Sequence, residues 1–194
     1  MKLDISEEKS VNLDEYAQVS ISFEVRRVLD VEAIDGGLGG FTLSERELEL
    51  PYLKDYDAIE SPLVWPQSFD MSNWGFLVAR SEGVRVGGAT VAFDTAGVEM
   101  LENRKDLAVL WDIRIAREAR SQGVGAALFR AVEKWAAARG CLRLKVETQN
   151  INVPACKFYS KQRCVLGSIH RFAYPELPEE TQLLWYKDLR NVSI

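Results

Sequence analysis

The chain has 194 residues, of which 47% are hydrophobic, and a net charge of −5. That is enough apolar material for a full core and argues against disorder, while the acidic balance argues against non-specific nucleic-acid binding and favours cationic partners. With one histidine, His170, and three cysteines (Cys141, Cys156, Cys164) lacking CxxC spacing, a histidine-rich metal site and a Ser-His-Asp triad are disfavoured.

The cysteines read as reduced core thiols of a cytoplasmic protein. Residues 1–15 are polar and acidic, so residues 1–18 read as an N-terminal extension, free to fray or form a short helix, of a single domain spanning 1–194. Residues 1–10 have no apolar stretch of the secretory type, and no apolar run is long enough to cross a bilayer, so no membrane partner is expected. From Val19 the alternation Val19, Ile21, Phe23, Val25 predicts a half-buried strand reaching towards Ile34, broken by the glycine-rich turn at 35–40. Residues 41–57 show no settled period, and Pro51 interrupts any helix there. Residues 58–73, with Pro62 and Pro66, read as a loop with exposed aromatics. Residues 74–80 and 84–93 predict a hairpin around Ser81-Glu82-Gly83, with Gly87-Gly88 marking a bulge or a close backbone approach. A short strand is expected at 98–101. Residues 107–115 read as a central strand covered on both faces, with Asp112 and Arg114 as its charged exceptions.

After that strand comes Arg120-Ser121-Gln122-Gly123-Val124-Gly125-Ala126, and then a helix whose apolar residues Val124, Leu128, Ala131, Val132 and Trp135 share one face, with Gly140 as its stop. Leu142, Leu144 and Val146 alternate with polar residues in a second strand, parallel to 107–115 because a helical crossover joins them. Asn152 is placed to cap a helix over 154–162; strands at 165–172 and 182–187 follow, around a loop at 175–180. The loop at 120–126 lacks the lysine of a GxxxxGK[ST] phosphate loop, and Leu128 stands where a dinucleotide fingerprint needs a small residue. A purely structural turn is one remaining reading. The other is a pyrophosphate cradle made of free helix N–H groups, the helix dipole and the Arg120 cation.

Arg120-x-x-Gly123-x-Gly125-Ala126, followed by Asn152-x-x-Ala155-x-x-x-Tyr159, resembles the GNAT superfamily of acetyl-CoA-dependent N-acetyltransferases. A narrower similarity, to streptothricin acetyltransferases, runs through Pro51-Tyr52-Leu53-Lys54, Glu147-Thr148-Gln149-Asn150, Ala155-Cys156-Lys157-Phe158-Tyr159, Leu166-Gly167-Ser168 and Trp185-Tyr186. Two departures stand out. Arg163-Cys164 occupies the place of the family's usual Gly-Phe. Only Asp55, Asp57 and Glu60 stand where streptothricin acetyltransferases carry an acidic stretch.

The resemblance implies an α/β (α+β) fold: a mixed, mostly antiparallel central sheet with a splayed parallel strand pair and flanking helices. It implies transfer of an acetyl group from acetyl-CoA, as cosubstrate and without a metal, to a primary amine of a small cationic molecule such as streptothricin, an antibiotic-resistance activity, by a monomer or homodimer. A protein lysine or N-terminal acetyltransferase and an inert acetyl-CoA-binding regulatory module are the alternatives. The resemblance places the cofactor on Arg120, Ser121, Gln122, Gly123, Val124, Gly125, Ala126, Asn152, Ala155 and Tyr159. The backbone near Ile113, Arg114 and Ile115 would bind the acetyl oxygen, and Tyr159 would be the general acid. The substrate ammonium, with a pKa of about 10.4, must lose a proton; Asp112, charged inside an apolar strand, is the first candidate base and Glu147, at the end of the adjacent strand, the second. For Asp112 the competing reading is a salt bridge with Arg114 or with a cation of another strand; for Glu147 it is a solvated strand end. Trp65 and Trp74 are explained more readily by packing than by stacking on a cationic substrate.

Overall fold

The computed structural model describes residues 2–8 and 12–192. In chain order the elements are β1 (Leu3–Glu7), α1 (Leu13–Ala17), β2 (Phe23–Ala33), β3 (Phe41–Lys54), α2 (Trp65–Ser68), β4 (Gly75–Ser81), β5 (Val84–Phe93), β6 (Leu107–Ile115), α3 (Val124–Ala138), β7 (Arg143–Gln149), α4 (Val153–Lys161), β8 (Val165–His170) and β9 (Gln182–Asp188). They form two compact units, one of Met1–Ile21, Asp55–Val146 and Lys187–Ile194, the other of Ser22–Lys54 and Glu147–Tyr186.

The first unit carries strands in the order β1-β4-β5-β6-β7, antiparallel except for the β6–β7 pair. Of the two forms expected for the acidic N-terminus, the short helix is present as α1, which buries Tyr16. Residues 3–7 pair with β4 from Leu3↔Ser81 to Glu7↔Leu77. The charges that made the segment look solvated have partners: Arg85 donates to both Glu8 oxygens at 2.8 and 2.7 Å and to Glu15 at 3.0 Å. Residues 1 and 9–11 of the expected extension lie outside the described residues. The expected hairpin is β4–β5. Its register shifts at Ala79/Arg80, and a Cβ on Gly88 would stand 2.7 Å from the Tyr16 ring, so the glycine pair marks both a bulge and a close approach.

The expected loop with exposed aromatics is corrected. Residues 62–68 form a 3-10 turn and α2, and Trp65 (4% exposed) and Trp74 (6%) are buried with Tyr16, Phe76 and Leu101, with Phe69 and Trp111 against them. Burying aromatic area against other rings contributes more here than a cationic ligand would, so the tryptophans are core. The expected strand at 98–101 is a 3-10 turn, Glu99–Leu101, whose leucine plugs that same cluster. Helix α3 buries Val124, Leu128, Val132 and Trp135 of the expected face, together with Phe129 and Ala136, while Ala131 is half-buried.

In the second unit β2 and β3 pair as a long hairpin. Their register runs Phe23↔Lys54 to Val25↔Tyr52, then resumes at Arg27↔Glu47, so residues 48–51 stand opposite Arg26. This excursion accommodates Pro51, which has no N–H to donate, and it breaks the period of 41–57. Strands β7, β9 and β8 lie side by side in that order, and Trp185 donates from its indole N–H to Thr148 Oγ1 at 2.8 Å.

Candidate active site

A short 3-10 turn, Arg117–Ala119, follows strand β6, and α3 begins at Val124 after the N-cap Gly123, whose φ of +86° lies in the left-handed region open to glycine. A Cβ on Gly123 would meet nothing within 4 Å, so conformation rather than space requires glycine there. No side chain caps α3 at this position, and the first helix-type bond recorded at this end runs from Ala127 N to Gly123 O at 3.0 Å. The N–H groups of Val124, Gly125 and Ala126 therefore have no carbonyl within the helix to bond, an anion-binding arrangement. Ser121 is also left-handed (φ 60°), and the Gln122 amide closes the turn on Glu118 O at 2.6 Å. Arg120 lies against the chain, donating to Ile115 O at 3.1 Å and Ser20 O at 3.4 Å. Burial, and then the charge of neighbouring Arg117, hold its pKa below the usual arginine value. An anion at the loop would relieve that repulsion.

The β5–β6 register shifts at Trp111, so Trp111 joins the aromatic cluster with Val109, while Asp112 and Arg114 meet Tyr16 beside it. This bulge accounts for charges inside an apolar strand. Asp112 and Arg114 are buried (8% and 2% exposed), and the parallel register of β6 with β7 covers Leu107↔Arg143 to Leu110↔Val146. All five guanidinium N–H donors are used: Nε and Nη2 on Asp112 at 2.9 and 2.7 Å, Nη1 and Nη2 on Asp57 at 3.1 Å each, and Nη1 on Val19 O at 3.1 Å. Tyr16 donates to Asp112 Oδ1 at 2.6 Å. Burial opposes the charge on Arg114, but the hydrogen bonds and charge of Asp112 outweigh it and raise its pKa. Burial, then the Asp112 charge, keep Tyr16 a protonated donor. Strand β6 thus presents at position 112 an ion pair with Arg114.

In the second unit Asn152 caps α4, its Oδ1 accepting from Ala155 N at 3.2 Å, with Pro154 in the first turn. Tyr159 is buried (4% exposed) on α4, its ring edge-on to Phe158 at 5.2 Å. Glu147, on β7, is no solvated strand end. Its Oε1 accepts from the Tyr174 hydroxyl at 2.5 Å and Gln149 Nε2 at 3.2 Å, and its Oε2 from Gln182 Nε2 at 2.7 Å. The cysteines are buried thiols, and burial, then the Asp106 charge, push Cys141 up to about 11. Among the described residues no group of three or more His, Cys, Asp and Glu is placed to hold a metal ion, and no helix is long and apolar enough to cross a membrane.

A family model described as the acetyltransferase (GNAT) family matches residues 43–163. The chain belongs to the GNAT acetyltransferase family. A streptothricin acetyltransferase of Escherichia coli is 33% identical over 84% of this chain and 84% of its own length, and streptothricin acetyltransferase A of Bacillus subtilis (strain 168) is 26% identical over 76% and 80%. Among solved structures, a Bacillus anthracis str. Ames protein assigned as a streptothricin acetyltransferase, in complex with acetyl coenzyme A, superposes with a TM-score of 0.76 at 26% identity, covering 97% of this chain and 99% of that one. A nourseothricin acetyltransferase (TM-score 0.75, 23% identity, 96% and 98% covered) shares the fold.

Against the family pattern, the Arg163 departure has a visible cost. Its φ is 62°, the left-handed conformation that glycine adopts freely. Arg163→Gly should therefore raise stability by about 0.5–1 kcal/mol, the relieved strain less the added chain entropy. Thermal unfolding of the two proteins checks this, and an unchanged or lower midpoint would show that Arg163 is not strained. Reading the sequence alone passes over Tyr16, Tyr174 and Gln182. Each is an isolated polar residue without motif spacing, and only the fold brings it to a carboxylate.

Proposed function

We propose that residues 1–194 act as one N-acetyltransferase domain that transfers acetyl from acetyl-CoA to a primary amine of a small polycationic molecule of the streptothricin type. The observation that carries the donor is the uncapped α3 N-terminus behind a left-handed Gly123, with Arg117 and Arg120 beside it; it suits the pyrophosphate of coenzyme A. Backbone N–H groups at Ile113–Ile115 polarise the acetyl carbonyl, Asn152 and Ala155 hold the pantetheine arm, and Tyr159 protonates the departing thiolate.

Glu147 takes the ammonium proton. Asp112 is the weaker candidate, because both its oxygens are engaged by Arg114 and one of them also by Tyr16. The charge balance around Arg114 supports a cationic acceptor. One guanidinium serves two carboxylates, and the residual negative charge resides on Asp57, whose side chain is 22% exposed against 6% for Asp112. The kinship with the E. coli and B. subtilis streptothricin acetyltransferases supports the acceptor class. The test is acetyl-CoA consumption with streptothricin, aminoglycosides, polyamines and lysine-bearing peptides. Turnover of streptothricin is the expected result; turnover of peptides alone would overturn the acceptor, and cofactor binding without any turnover would overturn the activity.

A further inference from the structure

Strand β7, the strand β9 and the connection after β8 each send a polar side chain to one point in the second unit. Glu147 lies on β7, Gln182 opens β9, and Tyr174 lies between β8 and β9, in a turn closed by Leu177 N on Tyr174 O at 3.1 Å. The Tyr174 hydroxyl donates to Glu147 Oε1 at 2.5 Å and accepts from Gln149 Nε2 at 3.0 Å; that amide also reaches Oε1, and Gln182 holds Oε2. The two carboxylate oxygens are thus fixed by donors from separate segments, which sets both the rotation and the reach of the side chain. A glutamate at a strand end without such partners would sample several rotamers.

We propose that Tyr174 is a positioning residue for catalysis: it aims the Glu147 carboxylate, so that the loop between β8 and β9 sets the efficiency of proton removal from the amine. This rests on the reading of Glu147 as the base. The neutral amides of Gln149 and Gln182 and the charge of Glu147 are the groups that face Tyr174 among the described residues. Burial, then the Glu147 charge, raise the Tyr174 pKa, so its phenol stays a donor and does not itself accept the proton.

The experiment is steady-state kinetics for the full chain and three variants, Tyr174→Phe, Gln182→Leu and Glu147→Gln, with streptothricin as the amine. Tyr174→Phe should lower kcat about 10–100-fold, the range for one hydrogen bond to a charged group. It should leave KM for acetyl-CoA within about twofold. Gln182→Leu, which releases Oε2 of Glu147, should likewise lower kcat with KM for acetyl-CoA unchanged, and it carries the test if Tyr174→Phe does not fold. Wild-type kcat in the folded variants, or a loss confined to KM, would overturn the proposal. If Glu147→Gln keeps wild-type kcat, the base itself is misassigned; if Glu147→Gln loses activity while Tyr174→Phe keeps it, only the positioning role fails.

Discussion

Replacing Arg114 with leucine should lower the free energy of unfolding by about 3–5 kcal/mol, the cost of removing one partner from a buried ion cluster. The side chain is 1% exposed, and its five donors serve two carboxylates and the Val19 carbonyl. Leucine fills much of the volume but leaves Asp112 buried without a counter-charge, with only Tyr16 still donating to it. Asp57 loses both donors at the same time. For a chain of this size the loss is a fall of roughly 6–20 °C in unfolding midpoint. Asp112→Leu in the same protein should recover part of it, because no orphaned charge then remains at position 112. A double-mutant cycle by chemical denaturation checks both steps. A loss under about 1 kcal/mol in the single variant would mean that water or rearrangement compensates Asp112, and the ion cluster would not be a structural anchor.

Tyr159→Phe should lower kcat about 100-fold or more while leaving acetyl-CoA affinity nearly intact. Phenylalanine keeps the buried ring against Phe158 and removes one oxygen, so the packing of α4 is preserved while the hydroxyl proposed as general acid is lost. A general acid acts on the leaving thiolate in the transition state, which is why kcat rather than binding should carry the loss. Calorimetric titration with coenzyme A and steady-state kinetics with streptothricin separate the two effects. Unchanged turnover would remove Tyr159 from the proton-donor role. A parallel loss of cofactor affinity would assign it to binding instead.

Helical and strand periods in the sequence were sufficient wherever a segment is covered regularly. Residues 107–115 and the helix after Gly123 appear in the structure with the same limits or nearly so, because continuous burial writes a continuous pattern. The GNAT motifs at Arg120–Ala126 and Asn152–Tyr159 were equally legible, since the backbone turn and the helix cap they serve are local and need particular residues at fixed spacing. The pattern failed where a register shift intervenes. The excursion at residues 48–51 hid a strand of fourteen residues, and the shift at Trp111 brings Asp112 and Arg114 to Tyr16 beside the aromatic cluster that also takes Val109 and Trp111.

The sequence by itself therefore determined the family, the glycine turn that opens α3 and the capped helix that carries Tyr159. Tertiary structure alone decided the fate of the charges. An isolated aspartate, glutamate or tyrosine looks the same in sequence whether it is solvated, paired or catalytic, because most of its partners lie far away along the chain. Asp112 pairs with Arg114 two residues on, but Tyr16 reaches it, and Asp57 reaches Arg114, from distant segments, as Tyr174 and Gln182 reach Glu147. Long-range electrostatic and hydrogen-bond partnership leaves no period in a sequence, and here it separates a carboxylate held in a buried ion cluster from one held by neutral donors.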